Sequence, residues 1–163
     1  MNKTKTKNWY SQTVSLSDTS KSGYNVGLLQ KLLFKIARKW VSGNTYKSAL
    51  STAKDCNSIG ISAILNFLGE DATNTAVIEK TVQEYLLLLR QLETNKIIGC
   101  ISVKPTQVGL RIGYDKCLYN FRQIARRTES LDRFMWIDIE SIQFVEDTIS
   151  IYLELLREYK RST

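Results

Sequence analysis

A chain of 163 residues, 43% hydrophobic and 24% charged, has the length of one domain and enough apolar material for a core. It holds no histidine, which excludes Ser-His-Asp and Cys-His catalysis within the chain and disfavours a transition-metal site. The net charge is +7, but Lys3, Lys5, Lys7 and Lys21 against Asp18 place +3 of it before residue 23, so no nucleic-acid partner is expected.

No apolar run reaches the ~20 residues that span a bilayer. No apolar stretch follows the first lysines, so a signal peptide is not expected and the expected location is cytoplasmic. Cys56, Cys100 and Cys117 are odd in number and lack paired spacing. They read as small buried thiols rather than a disulfide framework or a zinc site.

Residues 1–22 are rich in Ser, Thr, Lys and Asn and are expected to be a disordered tail. Residues 23–163 read as one domain. Tyr24 to Val41 carries the helical stripe Val26, Leu29, Leu33, Ile36 and Trp40. Asn44 or Thr45 can cap a second helix with Ala49, Leu50, Ala53 and Cys56 on one face.

The pattern then changes. Ile59 to Leu68 reads as a buried strand that closes on Gly69 and Glu70. Thr73 or Asn74 can cap a helix burying Ile78, Val82, Tyr85, Leu86, Leu89 and Leu92. Ile97 to Val103 is a second strand, ending at Lys104 and the chain's single proline, Pro105. A helix over 115–128 buries Leu118, Phe121, Ile124 and Ala125. Phe134 to Ile139 is a third strand, and Val145 to Tyr159 a third helix with Ile149, Tyr152, Leu153 and Leu156 inward.

Buried strands alternating with amphipathic helices imply parallel βα units. The expected fold is α/β: three parallel βα units of a (βα)8 TIM-type barrel, preceded by two helices. Closure takes eight strands and typically ~250 residues. Both outer strands are therefore expected as open edges, and the chain as part of a domain.

Active sites of parallel α/β folds lie at the C-terminal strand ends. Three candidate groups sit there. Lys104 is placed to hold an anion such as a carboxylate. Asp138 and Glu140 flank Ile139, so alternation points both carboxylates to one face, with Lys104 as a candidate partner. Such acids would also suit Mg²⁺. Glu70 is the weaker candidate, since a Gly-Glu pair at a strand end commonly serves as an acid complementing the next helix dipole. Arg111 and Tyr114 can reach the same mouth but read as solvated.

The series LGE at 68–70, SVKPTQVGL at 102–110 and WIDIES at 136–141, with Glu84-Tyr85 between them, resembles the proline dehydrogenase family, in its archaeal and single-function bacterial form. The resemblance implies a flavoenzyme with a distorted (βα)8 barrel. It implies FAD as cofactor, L-proline oxidised to 1-pyrroline-5-carboxylate, and a quinone as electron acceptor. By it, Lys104 matches the lysine that pairs with the substrate carboxylate and Asp138 the active-site aspartate. Ile139 matches the position lying against the flavin, and Glu70 the glutamate of the LGE motif. No metal is implied. The family's later half, with its flavin phosphate site and paired arginines, has no counterpart here. The implied object is an N-terminal portion of the barrel, completed by a second chain or copy. Quinone coupling implies peripheral contact with the inner face of the cell membrane. The alternative is a non-catalytic truncated paralogue acting as a small self-associating module.

Overall fold

The computed structural model describes residues 13–16, 42 and 45–159. Its elements are β1 (Thr13–Leu16), α1 (Tyr46–Ser58), β2 (Ala63–Phe67), α2 (Thr75–Thr94), β3 (Gly99–Val103), α3 (Tyr114–Ser130), β4 (Met135–Ile137) and α4 (Val145–Glu158). Short 3-10 turns cover Pro105–Gln107 and Ile142–Phe144. The helix expected over 24–41 lies outside the described residues.

The three expected strands are present, each shorter than its apolar run. A fourth is added. Thr13–Leu16 falls in the expected disordered tail, yet it pairs parallel with β2, from Thr13 level with Ile64 to Leu16 level with Phe67. The run Thr-Val-Ser-Leu alternates polar and apolar. It covers N–H and C=O groups that β2 would otherwise leave bare. The sheet order is β1-β2-β3-β4, every pair parallel.

Register sorts the strand residues onto two faces. Ile101 stands level with Leu65 and Met135, while Cys100 stands level with Ile64, and Ser102 with Trp136. Ala63, Leu65, Ile101, Val103 and Met135 face the helices and are buried. Ile64, Asn66, Cys100, Ser102 and Trp136 lie on the other face, away from the helices. β2 and β3 pass so closely at Gly99 that a Cβ there would meet the Ala63 carbonyl oxygen at 2.5 Å.

The helices supply the second layer. Thr45 caps α1 by accepting from the Ser48 N–H at 3.3 Å, and Asn74 caps α2 by accepting from Ala76 N–H at 2.9 Å. α2 buries Ile78, Val82, Tyr85, Leu88, Leu89 and Leu92, with Leu86 only partly covered. α4 corrects an expectation. It buries Thr148, Ile151 and Leu155, while Ile149, Tyr152 and Leu153 stay exposed. This helix carries two adjacent apolar stripes, and periodicity alone does not choose between them.

Of the three thiols, Cys117 is buried, Cys56 and Cys100 are half-buried, and none forms a disulfide. Burial pushes the Cys117 and Cys100 thiols up from their ordinary range. Among the described residues no helix is long and apolar enough to cross a membrane.

Candidate active site at the strand tips

Each strand end is shaped by its own sequence. After β2 the chain turns through Gly69 at φ 121°, a conformation that favours glycine, and Asp71 at φ 60°. After β3, Pro105 opens the 3-10 turn with Lys104 extended just before it. After β4, Asp138 adds one more ladder bond, its N–H donating to the Val103 carbonyl at 3.0 Å.

Thr106 ties the three ends together. Its N–H and hydroxyl donate to the two oxygens of Glu140 at 2.9 and 2.7 Å. The same hydroxyl accepts from the Asp71 N–H at 2.9 Å, and the Thr106 carbonyl accepts from the Ala72 N–H at 3.1 Å. Asp138 is held separately, its carboxylate accepting from the Ser102 hydroxyl. Below this layer, Gln107 donates to the carbonyls of Phe67 and Gly69 at 2.8 and 2.5 Å. The Tyr85 hydroxyl lies 2.8 Å from Gln107 Oε1 and 2.9 Å from the Ser102 carbonyl, so its one proton bonds either acceptor. Burial pushes the Tyr85 phenol far up, and it stays a neutral donor.

Lys104 pairs with Glu70 at 3.3 Å, with side chains 26% and 59% exposed. This corrects its expected pairing with Asp138 and Glu140. Both of those acids already hold neutral donors from the β3 segment, Ser102 and Thr106, and the ammonium turns to the acid on the β2 side instead. Arg111 also finds a partner rather than free solvent. It donates to Asp71 at 2.7 Å and lies 4.8 Å above the Phe144 ring. The Arg111 guanidinium holds the Asp71 carboxyl below its usual range. Tyr114 points away to α4, donating to Glu154 at 2.7 Å.

The structure thus brings Glu70, Lys104, Asp138 and Ile139 to one end of the sheet. Ser102, Thr106, Gln107 and Tyr85 were missed as site-forming residues. Ser102 was findable, since it lies on β3 two positions before Lys104, which follows the strand in extended conformation. Thr106 was not, because its partners stand 34 and 35 residues away. The two acids of the Mg²⁺ reading are held apart by different hydroxyls, and among the described residues no three metal-ligating side chains cluster. For a flat aromatic cofactor the material is apolar: Ile139 is 62% exposed beside Trp136 at 50%.

The family model described as proline dehydrogenase matches residues 49–163. Proline dehydrogenase 1 of Bacillus subtilis is 28% identical over 125 residues, covering 77% of this chain and 41% of the relative. Proline dehydrogenase 2 of the same organism is 25% identical over 150 residues, covering 86% of this chain and 47% of the relative. The chain therefore spans less than half the length of these curated relatives. A crystal structure of proline utilization A from Bdellovibrio bacteriovorus, inactivated by N-propargylglycine, superimposes with a TM-score of 0.70 at 16% identity, over 82% of this chain and 17% of that one. That likeness gives the fold, a TIM-type barrel of which this chain forms a part. With the family model matching well over half of its residues, the chain belongs to the proline dehydrogenase family.

Proposed function

We propose that this chain provides the β1–β4 side of a site that oxidises L-proline to 1-pyrroline-5-carboxylate. FAD is the proposed electron acceptor within the site, and a quinone the acceptor after it. The observation that carries the reading is Lys104. It is a cation at a strand tip, one residue beyond β3, whose partner Glu70 is itself mostly exposed. An exposed ion pair is worth only about 0–1 kcal/mol, so a substrate carboxylate can replace Glu70 at small cost. Lys104 would then anchor proline through its carboxylate.

Asp138 is oriented by the Ser102 hydroxyl, which donates to its side chain, and by its own N–H, which donates to the Val103 carbonyl, so its carboxyl group enters the site in a fixed orientation. It would hold the proline nitrogen in place and stabilise the positive charge that develops there. Ile139, Trp136 and Leu68 are exposed apolar side chains beside the tips, and they fit the face of a flavin ring. When bound, FAD would supply the two-electron oxidant that amine oxidation requires and that acid, base and amide side chains do not provide. Glu70 keeps Lys104 placed and solvated until substrate arrives. The proposed location is the cytoplasm, with peripheral contact at the membrane where quinones reside.

The test is the absorbance spectrum of the chain after incubation with FAD and desalting. Retained flavin that bleaches on adding L-proline supports the reading. Lys104→Ala should then raise the KM for proline sharply, and Asp138→Ala should lower kcat. A colourless protein removes flavin chemistry from this chain by itself. The second reading, a non-catalytic self-associating module, would then be favoured, since among the described residues no strand lies outside β1 or β4.

A further inference from the structure

We propose that Gln107 is a positioning residue for the substrate clamp, fixing where Lys104 stands relative to Glu70. The inference rests on the reading of Lys104 as the anchor of the proline carboxylate.

Gln107 closes the 3-10 turn that follows Lys104. Its N–H donates to the Lys104 carbonyl at 3.0 Å. Its side-chain amide donates to the carbonyls of Phe67 and Gly69 at 2.8 and 2.5 Å. Phe67 ends β2, and Gly69 immediately precedes Glu70. One buried residue is thus bonded both to the backbone of Lys104 and to the turn that carries Glu70. Thr106 completes the fastening on the far side of Glu70. It accepts from the N–H groups of Asp71 and Ala72 at 2.9 and 3.1 Å. Glu70 therefore sits between two held points.

The ion pair does not set this geometry by itself. It is solvated, and such pairs are too weak to impose a path on a loop. Gly69, at φ 121°, has many other conformations open to it, so the turn needs an outside hold. Tyr85 aims that hold. Its hydroxyl lies 2.8 Å from Gln107 Oε1 and accepts from the Phe67 N–H at 3.4 Å. With the amide oxygen turned to Tyr85, the NH2 group faces the two carbonyls. Asp138 is held without Gln107, through Ser102 and Val103. Gln107 therefore bears on the carboxylate end of the substrate and not on its nitrogen.

The test is the affinity of the full chain for L-proline by calorimetry, with amide hydrogen exchange read on the same samples. Gln107→Met keeps the side chain's length and removes both donors. It should speed exchange at Asp71 and Ala72 and weaken proline binding roughly tenfold, because a small misplacement of a binding group is costly. In a Lys104→Ala background the same substitution should weaken binding no further. A residue acting only through overall stability would weaken it equally in both backgrounds. With FAD bound, the loss should fall on KM and leave kcat within about twofold. Where Gln107→Met does not fold, Tyr85→Phe withdraws the hydroxyl that aims the amide and should give a smaller loss of the same kind. Unchanged exchange at Asp71 and Ala72 overturns the proposal. So does an equal loss of affinity in the Lys104→Ala background, or a loss confined to kcat. Failure of the clamp reading has a different signature, and the proposal falls with it. Lys104→Ala then leaves proline affinity unchanged, or the unaltered chain binds no proline, while Gln107→Met still speeds exchange.

Discussion

The two ends of the sheet are built from different bonds. At the N-terminal end, side chains bond mainly to backbone. Asn57 donates to the carbonyls of Ile61 and Ile98, both at 2.9 Å, and accepts from the Ile98 N–H at 2.7 Å. Arg133 donates to the carbonyls of Ile97 and Gly99 at 3.0 and 2.9 Å and to Glu93 at 3.1 Å. At the C-terminal end, carboxylates meet hydroxyls and cations, in Glu140 with Thr106, Asp138 with Ser102, and Lys104 with Glu70. Backbone partners cannot leave, so the first end fixes strand starts. Side-chain partners can be exchanged for a ligand, so the second end can bind. The same division between a stabilising bottom and a chemical top holds across parallel barrels.

Within the top there is a gradient. Thr106 is buried and joins three segments, while the Lys104–Glu70 pair lies outermost and is solvated. Substitutions should therefore fall in order of stability cost. Arg133→Ala removes a charged group from two carbonyls and Glu93, and should cost about 3 kcal/mol in denaturant unfolding. A cost near zero would erase the contrast between the ends. Thr106→Val keeps the shape but leaves Glu140 and the Asp71 N–H short of a partner, at about 2 kcal/mol. Thr106→Ser should recover most of it, and a failure to do so would assign the effect to packing.

Lys104→Ala should shift the melting temperature little, because an exposed pair contributes only about 0–1 kcal/mol. A large loss would make Lys104 a structural residue and weaken its role as an anion clamp. The smallest effect concerns Tyr114 on the helix layer. Burial and the bond to Glu154 push its phenol up to about 12 from an ordinary 10.0. The unfolded chain then loses this proton first. The contribution is whole below pH ~10 and is lost as pH rises through about 12. Tyr114→Phe should flatten the melting temperature in that window, and an unchanged slope would place the titration elsewhere.

Much of this molecule could be read in one dimension. The apolar runs around Leu65, Ile101 and Met135 and the helical stripes of α2 and α3 fixed element type and order, because burial on one face imposes a period of two or 3.6 residues. The same order placed Glu70, Lys104 and Asp138 at strand ends, since a parallel sheet sends all its C-termini one way. Tertiary structure decided the rest. It recruited Thr13–Leu16 as β1, because an open edge of β2 rewards pairing more than a polar composition opposes it. It chose which of two apolar stripes α4 buries, a choice that depends on where the neighbouring elements stand. It also turned Lys104 to Glu70 and gave Glu140 to Thr106, across separations of 34 residues that no local period encodes.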